Sequence, residues 1–402
     1  MILPTHNPSS TTECLEICRQ ALADGNGLQV LGGKTRAVLG EAPQLSMRHL
    51  NSVRFLHPQD MVIGVDAGLP FADLWDILEA KDMALPVNAW YERATLGGMV
   101  AANDFGADRM FGGGIRDHLI GIEYIDGRGE LVKAGGQVVK NVTGYDVARM
   151  MIGSLGGFGC ITALNFRLVP AKTGPMVGFL TSETLEPLAR MQQLAEARTP
   201  LDWVEVRGRR GCWQCAFGYS GNPARRAALQ LRLKNQLGGD WQFLHEGGLP
   251  TEWLWAKARS RHAGFLNSLP NSLGPDPWHL FLTAPASEWT SHGFLQDTVA
   301  NGGYWVLHPF GGDGHWFLPR EGDFRTCWEP WQPFFGPEAR VGSCLEMVQV
   351  PEPVATSRQR YLPLPLEYPL ACELKRHLDP NSLFHAPFYQ MQKHVRGKGD
   401  GH

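Results

Sequence analysis

The spacing of apolar and polar residues predicts alternating helices and strands over the first 170 positions. In "SSTTECLEICRQALADGNG" the apolar residues recur at helical spacing. Ser10 is followed three residues later by Glu13, which is a capping-box pattern, so we expect a helix that begins there and stops at Gly25. The short run "LQVL" then predicts a strand that leads directly into Gly32-Gly33-Lys34-Thr35.

Two further stretches have clear periods. "HPQDMVIGVDAGLPFADLWDILEAKDMALP" indicates a strand and then a helix, and "LIGIEYIDGRGELVKAGG" indicates a hairpin with Asp126-Gly127 in the turn. "VARMMIGSLGGFGCITALNFRLVPA" predicts a short helix, a glycine turn and a strand. Residues 93–122 are rich in glycine and other small residues.

After Pro170 tryptophans become frequent and glycine clusters thin out. "GCWQCAFGYSGNPARRAALQLRLKNQLGG" predicts strand, turn and helix, with Pro223 early in the helix, where its missing N–H costs little. Residues 276–319 predict a strand, a helix and two more strands. This order is typical of an antiparallel sheet backed by helices. Residues 368–380 are helical again, and we expect the tail at 394–402 to be disordered.

Composition restricts the class of protein. A chain of 402 residues is longer than one that typically folds around a single hydrophobic core, so two domains are expected. The net charge is -3 without a basic block in the body of the chain, which argues against a nucleic-acid partner. The first residues, "MILPTHNPSS", lack a signal-peptide pattern, and no apolar run approaches the roughly 18 residues that span a bilayer. These features favour a soluble cytoplasmic protein.

The 8 cysteines do not form a disulfide framework in a chain of this length. The single CxxC, Cys212 and Cys215, lacks a second Cys or His pair that would complete a zinc or iron–sulfur site. We therefore interpret it as part of a strand with one cysteine packed inside, and we predict no metal site.

The stretch after the first strand suggests a loop that holds phosphate. A Walker A loop would need a glycine at position 28, which is Leu28, and the Rossmann fingerprint also fails on spacing. Consecutive backbone N–H groups between permissive glycines can still form an anion-binding concavity. Two more glycine clusters, "RATLGGMVAANDFGADRMFGGGIRDHLIG" and "KNVTGYDVARMMIGSLGGFGCIT", indicate a long phosphate-bearing cofactor. Flavin adenine dinucleotide (FAD) fits this pattern better than a mononucleotide.

Four blocks, "GGKTRAVLG", "ATLGGMVAAN", "GGGIRDHLIGIEYIDGRGE" and "KNVTGYDVARMMIGSLGGFGCIT", resemble in order and spacing the PCMH-type FAD-binding domain of the vanillyl-alcohol-oxidase superfamily. The last block looks most like the FAD-binding E subunits of bacterial glycolate oxidase (glycolate dehydrogenase). The resemblance covers residues 28–170, weakens over 171–345, and returns at "ELKRHLDPNSLFHAPF".

The resemblance implies an α+β fold in three parts. Residues 1–172 would form the PCMH-type FAD-binding domain. Residues 173–345 would form a smaller α+β cap or substrate domain with an antiparallel sheet, and residues 346–402 would return to the FAD domain. Noncovalent FAD is the implied cofactor. The residues implied to contact it are Gly32, Gly33, Lys34, Thr35, Arg36, Pro86, Thr95, Gly97, Gly98, Asn103, Gly106, Lys140, Tyr145, Gly153, Ser154, Gly156, Gly159 and Ile161.

Catalytic residues are harder to identify. Oxidation of a 2-hydroxy acid needs a cation for the carboxylate, a base for the hydroxyl proton and an electron acceptor. The segment "HPFGGDGHWF" holds His308, Asp313 and His315, and it only partly resembles the metal-binding segment of D-2-hydroxyacid dehydrogenases. In the E subunits the same place is a plain strand. His385 stands where the family has an Asn-Pro-Gly segment, and His118 stands where apolar residues are common.

The resemblance implies an FAD-binding subunit of a complex that oxidises glycolate or D-lactate to the 2-oxo acid. A catalytic flavin subunit and an iron–sulfur subunit would be its partners, and any membrane association would be peripheral and through them. Two alternatives stay open: a stand-alone FAD dehydrogenase for another hydroxy acid or alcohol, and a flavin-bearing assembly subunit without substrate chemistry of its own.

Overall fold

The computed structural model describes residues 4–36, 42–89, 93–137, 147–184, 186–209, 211–238, 240–245, 278–283, 303–308, 313–318, 344–349, 361–362 and 368–386. The chain divides into two compact units. The first consists of Met1–Phe105, Gly113–Ala171 and Glu367–His402, and the second consists of Gly106–Gly112 and Lys172–Leu366. No helix within the described ranges combines the length and the hydropathy of a membrane span.

The first unit begins with a small parallel sheet in the order β1-β3-β2, formed by β1 (Thr5–His6), β2 (Gln29–Leu31) and β3 (Gln44–Ser46). Helix α1 (Thr11–Ala23) connects β1 to β2. The side chain of Ser10 accepts a hydrogen bond from the backbone N–H of Glu13, which confirms the predicted cap. The carboxylate of Glu13 reaches back to Ser9, whose N–H and hydroxyl both donate to it.

A five-stranded antiparallel sheet follows, in the order β4-β5-β9-β7-β8. Its strands are β4 (Val53–His57), β5 (Val62–Asp66), β7 (Leu119–Ile125), β8 (Leu131–Gly135) and β9 (Cys160–Arg167). The predicted hairpin is confirmed as β7–β8. Its turn is closed by a 2.9 Å hydrogen bond from the N–H of Asp126 to the carbonyl of Glu130, and Gly129 takes the left-handed conformation (φ +72°) that a side chain disfavours.

Short helices pack against this sheet. Those of the first unit are α2 (Phe71–Glu79), α3 (Leu96–Ala102), α5 (Ile115–His118), α6 (Val147–Met151) and α9 (Tyr368–Leu378). The strands β6 (Met83–Ala84) and β10 (Val169–Pro170) form a separate antiparallel pair. The buried side chains of Leu74 and Leu78 on α2 join the same apolar core as Val65 and Leu164 of the sheet. Burial of these side chains stabilises each by about 1.5–3 kcal/mol relative to exposure.

The C-terminal segment is anchored beside β2. The N–H of Leu28 donates to the carbonyl of Leu383 at 2.6 Å, and the N–H of His385 donates to the carbonyl of Leu28 at 2.7 Å. Asp379, which is buried, accepts hydrogen bonds from the N–H groups of Leu383 and Phe384 and pairs with Lys375. The strand that leads into the glycine loop is therefore held by a segment more than 350 positions away.

The second unit is built on a nine-stranded sheet whose described neighbours are all antiparallel, in the order β14-β11-β13-β12-β16-β17-β15-β18-β19. The strands are β11 (Met176–Ser182), β12 (Trp203–Arg209), β13 (Cys212–Tyr219), β14 (Gln242–His245), β15 (Trp278–Thr283), β16 (Tyr304–His308), β17 (Asp313–Leu318), β18 (Cys344–Gln349) and β19 (Tyr361–Leu362). The described helices of this unit are α4 (Arg109–Gly112), α7 (Glu186–Glu196) and α8 (Pro223–Leu237).

Helices combined with mainly antiparallel sheets confirm the α+β class. Pro223 occupies the first turn of α8, as predicted, behind Asn222, whose side chain caps the helix. The helix expected between β15 and β16 and the tail at 394–402 lie outside the described residues. The sheet continues past residue 345 because β18 and β19 belong to it, and the chain rejoins the first unit at Glu367.

Candidate cofactor site

A cavity in the first unit, called the cofactor cavity below, is lined by residues that are far apart in the sequence. The end of β2 and the loop 32–36 form one wall, and helix α3 and the start of β9 form others. The predicted cofactor residues that line it are Gly32, Gly33, Lys34, Thr35, Arg36, Thr95, Gly97, Gly98, Gly156, Gly159 and Ile161. Three of the four sequence blocks therefore contribute to a single cavity.

The remaining predicted residues lie elsewhere. Pro86, Asn103, Gly153 and Ser154 belong to the first unit but are not among the lining residues, and Gly106 belongs to the second unit. Lys140 and Tyr145 lie outside the described residues. Asn103 ends α3 in the left-handed conformation (φ +51°). The N–H of Gly153 donates to the carbonyl of Val100 on α3 at 3.0 Å. Asn103 and Gly153 therefore support α3, which forms part of the cavity wall, without lining the cavity themselves.

Sequence reasoning missed eight lining residues: Val30, Leu31, Met47, Ala67, Ala101, Ala102, Asp104 and Leu155. Most of them are apolar or small, and residues of these types do not indicate a cofactor site in a sequence. Asp104 directly follows the block "ATLGGMVAAN", but nothing in the sequence links it to its partner Arg36.

Chain packing explains the two loop glycines. A Cβ atom on Gly32 would collide with the hydroxyl of Thr95, and one on Gly33 would collide with the backbone carbonyl oxygen of Arg93. The loop therefore lies directly against the segment that enters α3, and only glycine permits this approach. Glycine is therefore required at position 33 by the chain itself, and the implied contact of Gly33 with the cofactor stays a prediction.

An ion pair closes the far end of the loop. The Nη1 atom of Arg36 lies 2.9 Å from Oδ1 of Asp104 and donates to the carbonyl of Ala102 at 3.2 Å. Both side chains are buried, with 8% and 2% exposed. The positive charge of Arg36 is therefore already compensated within the protein, and the residue ties the loop to the end of α3.

The cavity fits a phosphate-bearing cofactor. No described residue accepts a hydrogen bond from the backbone N–H groups of Gly33, Lys34 and Thr35, which leaves three consecutive donors in a loop that lines the cavity. Gly156 lines the cavity with φ +74°, and the nearest heavy atom to a Cβ built there is 3.9 Å away, so its positive φ rather than a collision favours glycine at this wall. The hydroxyl of Ser154, buried beside Leu155 and Gly156, has no hydrogen-bond partner within the described chain.

The size of the cavity indicates which part of FAD it would hold. Its volume is about 110 Å³, below the range of about 300–1,000 Å³ typical of pockets for whole drug-sized ligands. The cavity with its glycine loop therefore suits the phosphate-bearing portion of the dinucleotide.

The histidine candidates are not among the residues that line this cavity. His308 ends β16 in the second unit, where its Nε2 atom lies 3.0 Å from Oε2 of Glu205, and Glu205 also pairs with Arg207. All three side chains are buried. His315 belongs to β17, opposite Val306 in the sheet. In the first unit the imidazole of His385 packs against Gly27, and His118 is buried at the end of α5.

Two buried cysteines lie close to the cavity. Cys14 and Cys160 each donate to the sulfur of Met47, which lines the cavity, over 3.7 and 3.5 Å. The pKa of the Cys160 thiol is raised by its hydrogen bond with Cys14 and by burial, so the neutral thiol is favoured. On β13, Cys215 is buried and Cys212 exposed, as interpreted from the sequence, and burial raises the pKa of Cys215 to about 12. The described residues contain no cluster of three potential metal ligands.

Comparison with known families and proteins agrees with this geometry. Residues 5–135 match the family model described as FAD binding domain. Glycolate oxidase subunit GlcE of Escherichia coli (strain K12) is 29% identical over 254 residues, which cover 59% of this chain and 68% of that protein. Glycolate oxidase subunit GlcD of Bacillus subtilis (strain 168) is 26% identical over 174 residues, which cover 42% of this chain and 37% of that protein.

D-lactate dehydrogenase of Anaerostipes hadrus is 29% identical over 148 residues, and the match spans 31% of its length. This chain thus covers only about a third of two of these relatives. The expected FAD-binding domain and the similarity to glycolate oxidase subunits are confirmed. The chain carries an FAD-binding domain, and FAD is its cofactor.

Proposed function

We propose that this chain is an FAD-dependent oxidoreductase subunit that takes part in the oxidation of a small 2-hydroxy acid, glycolate or D-lactate, to the 2-oxo acid. The observation that carries the proposal is the cavity of the first unit, which combines loop N–H groups that no described residue accepts with walls from three glycine-rich blocks. The relatives named as glycolate oxidase subunits and D-lactate dehydrogenase support the substrate class.

In this reaction FAD supplies the electron-accepting chemistry. The residues of this chain bind and orient it. The loop 32–36 offers its N–H groups to the pyrophosphate, and the Arg36–Asp104 pair holds that loop against the end of α3. Lys140, Tyr145 and the other residues implied by the resemblance remain proposed contacts.

We further propose that the chain works in a hetero-oligomer in the cytoplasm, with a catalytic flavin subunit and an iron–sulfur subunit, and that it meets the membrane only through them. The two relatives named as subunits of glycolate oxidase support an assembly. The hydrogen bond with Cys14 and burial raise the pKa of the Cys160 thiol, whereas iron–sulfur clusters need thiolates. Electrons would then leave through a partner.

A second candidate is a flavin-bearing assembly subunit without substrate chemistry. The placement of the histidines favours it: His308 is engaged by Glu205 in the second unit, and His385 packs against Gly27. A stand-alone dehydrogenase is the third candidate. Affinity purification of the tagged chain from its native cells separates both subunit candidates from the stand-alone enzyme, because an iron–sulfur protein and a second flavoprotein should copurify with a subunit but not with a stand-alone enzyme.

The visible spectrum of the purified chain tests the cofactor and its attachment. We expect a flavin spectrum, and acid precipitation should release the yellow colour into solution because FAD is held noncovalently. Colour that stays in the pellet would show a covalent bond, for which His118 would be the first residue to examine. Protein that is colourless and takes up no added FAD would contradict the proposed function as a whole.

A further inference from the structure

A second cavity of about 610 Å³ opens beside the parallel sheet of the first unit. It is lined by residues at or just beyond the C-terminal ends of all three strands: Thr5, Asn7 and Ser9 at β1, Lys34 beyond β2, and Ser46, Arg48, His49 and Asn51 at β3. We call it the polar cleft. Ligands of open α/β sheets bind at this end of the strands, because the connecting loops diverge there and leave a crevice.

Positive charge is concentrated in the polar cleft. Lys34, Arg48 and His49 are all exposed, and the amine of Lys34 donates to the neutral side-chain oxygen of Gln44 at 2.9 Å. Arg48 and His49 have no hydrogen bond or ion pair with any other residue in the described ranges. This local excess of positive charge contrasts with the net charge of -3 for the whole chain and creates a field that attracts anions.

Neutral donors surround Lys34 and Arg48. Ser46 is only 5% exposed, yet its hydroxyl has no hydrogen bond to another described residue. The side chains of Asn7 and Asn51 add amide donors. Among the described residues, Glu13 contacts the cleft through Ser9, from which its carboxylate accepts two hydrogen bonds. The amide of Asn7 also donates to the carbonyl of Thr5 at 3.5 Å, whereas the side chains of Ser46 and Asn51 have no hydrogen bond to another described residue.

We propose that the polar cleft binds a phosphate-bearing small molecule at a site separate from that of FAD. A phosphate group offers several acceptor oxygens and up to two negative charges, which match two cations and a ring of hydroxyl and amide donors. The volume lies within the range of about 300–1,000 Å³ for small-molecule sites. Lys34 borders both cavities, whereas Arg48, His49 and Asn51 line only the polar cleft.

Calorimetric titration of the full chain tests this site. The protein is first saturated with FAD, so that added phosphate cannot enter the cofactor cavity, and inorganic phosphate is then titrated at about 0.15 M salt. One phosphate should bind per chain. Arg48→Gln should weaken it by about tenfold or more, because a charge-assisted hydrogen bond is lost. Arg232→Gln removes an exposed arginine on α8 of the second unit and should leave phosphate binding unchanged.

Two further measurements sharpen the result. Asn51→Ala should also weaken phosphate binding, and both cleft variants should retain as much FAD as the wild type, since neither residue lines the cofactor cavity. Glycerol 3-phosphate, a phosphate monoester, should bind at least as tightly as inorganic phosphate.

Several outcomes would overturn the proposal. If the FAD-saturated wild type does not bind phosphate at this salt concentration, the positive charge of the cleft attracts anions only in a general way and forms no phosphate site. Equal weakening by Arg48→Gln and Arg232→Gln would place the bound phosphate elsewhere. Parallel loss of FAD and phosphate in Arg48→Gln would make the polar cleft part of the cofactor site. A monoester that does not bind would exclude a phosphate-bearing small molecule.

Discussion

Arg36 and Asp104 form a buried ion pair, 2.9 Å between Nη1 and Oδ1, that joins the glycine loop to the end of α3. Both residues line the cofactor cavity, and the same guanidinium nitrogen donates to the carbonyl of Ala102. Removing one partner of a buried pair leaves an uncompensated charge, which costs more than the pair itself contributes. The shape of the loop 32–36 therefore depends on a carboxylate 68 positions further along the chain.

We predict that Asp104→Ala lowers the free energy of unfolding by about 3–5 kcal/mol, because the charge of Arg36 loses its partner in a buried position. Urea unfolding of the FAD-free protein measures this change directly. Asp60→Ala is the matched control, since Asp60 is exposed in a turn, and its effect should stay within about 0.5 kcal/mol. Equal effects of the two substitutions would mean that the pair does not hold the loop.

Gly33→Ala should weaken FAD binding through the chain rather than through the cofactor. The added methyl group would meet the carbonyl oxygen of Arg93, so the loop or the segment before α3 must shift. Such overpacking costs about 1–3 kcal/mol, or roughly 5- to 150-fold in affinity if the shift is lost from binding. Fluorescence titration with FAD measures the affinity.

The control for this substitution is Gly114→Ala, because no heavy atom lies within 4 Å of a Cβ built at Gly114. It should bind FAD like the wild type. If Gly33→Ala also does so, the close approach between the loop and Arg93 is not needed for cofactor binding.

The stability of the first unit should fall in acid through Glu123. Burial raises the pKa of Glu123, but hydrogen bonds and charges from Lys133 and Arg54, at 2.7 and 2.9 Å, together outweigh it and hold the pKa below its usual value. A lowered folded-state pKa stabilises the fold fully above the unfolded-state pKa of about 4.3. This contribution disappears as the pH falls through the folded-state pKa.

The free energy of unfolding, measured by urea denaturation between neutral pH and the acid range, should therefore fall less steeply with acid in Glu123→Gln than in the wild type. Glu79→Gln, at an exposed position on α2, should keep the wild-type slope. An unchanged slope in Glu123→Gln would show that the network of Arg54, Glu123 and Lys133 does not stabilise the fold through its charge.

Asp379→Ala should loosen the C-terminal segment that supports β2. The substitution removes the acceptor for the N–H groups of Leu383 and Phe384 and the partner of the largely buried Lys375. We expect a loss of about 3–5 kcal/mol in urea unfolding and a lower FAD content after gel filtration. Glu373→Ala, an exposed position on the same helix, should change neither quantity. Normal FAD content in Asp379→Ala would show that FAD binding does not depend on the C-terminal segment.

The isolated chain should not reduce its flavin at a useful rate with glycolate or D-lactate. A missing general base costs about 10²–10⁴ in rate, and among the histidine candidates His308 pairs with Glu205 and His385 packs against Gly27. Anaerobic spectra recorded after addition of either acid should show oxidised flavin, and turnover should appear when the catalytic and iron–sulfur subunits are supplied. Rapid bleaching in the isolated chain would instead favour the stand-alone enzyme and make His308 and His385 the first targets for substitution by alanine.

Much of the local structure was readable from the sequence. The cap at Ser10, the hairpin β7–β8 and the proline at the start of α8 depend on contacts within a few residues, so spacing and residue type suffice to predict them. The order of the glycine blocks was likewise enough to indicate FAD, because a long cofactor needs close approach of backbone at several separated places.

Other features depend on which distant segments meet, and no local pattern encodes that. The pairing of Arg36 with Asp104 spans 68 positions, and Leu28 pairs with Leu383 and His385 near the far end of the chain. From the sequence, Gly33 is recognisable only as a residue with a permissive backbone. The fold shows why glycine is needed there, because a Cβ atom would collide with the carbonyl oxygen of Arg93. Sheet register and core packing bring these groups together only in the folded chain, where burial makes an unmet charge or a single extra methyl group costly.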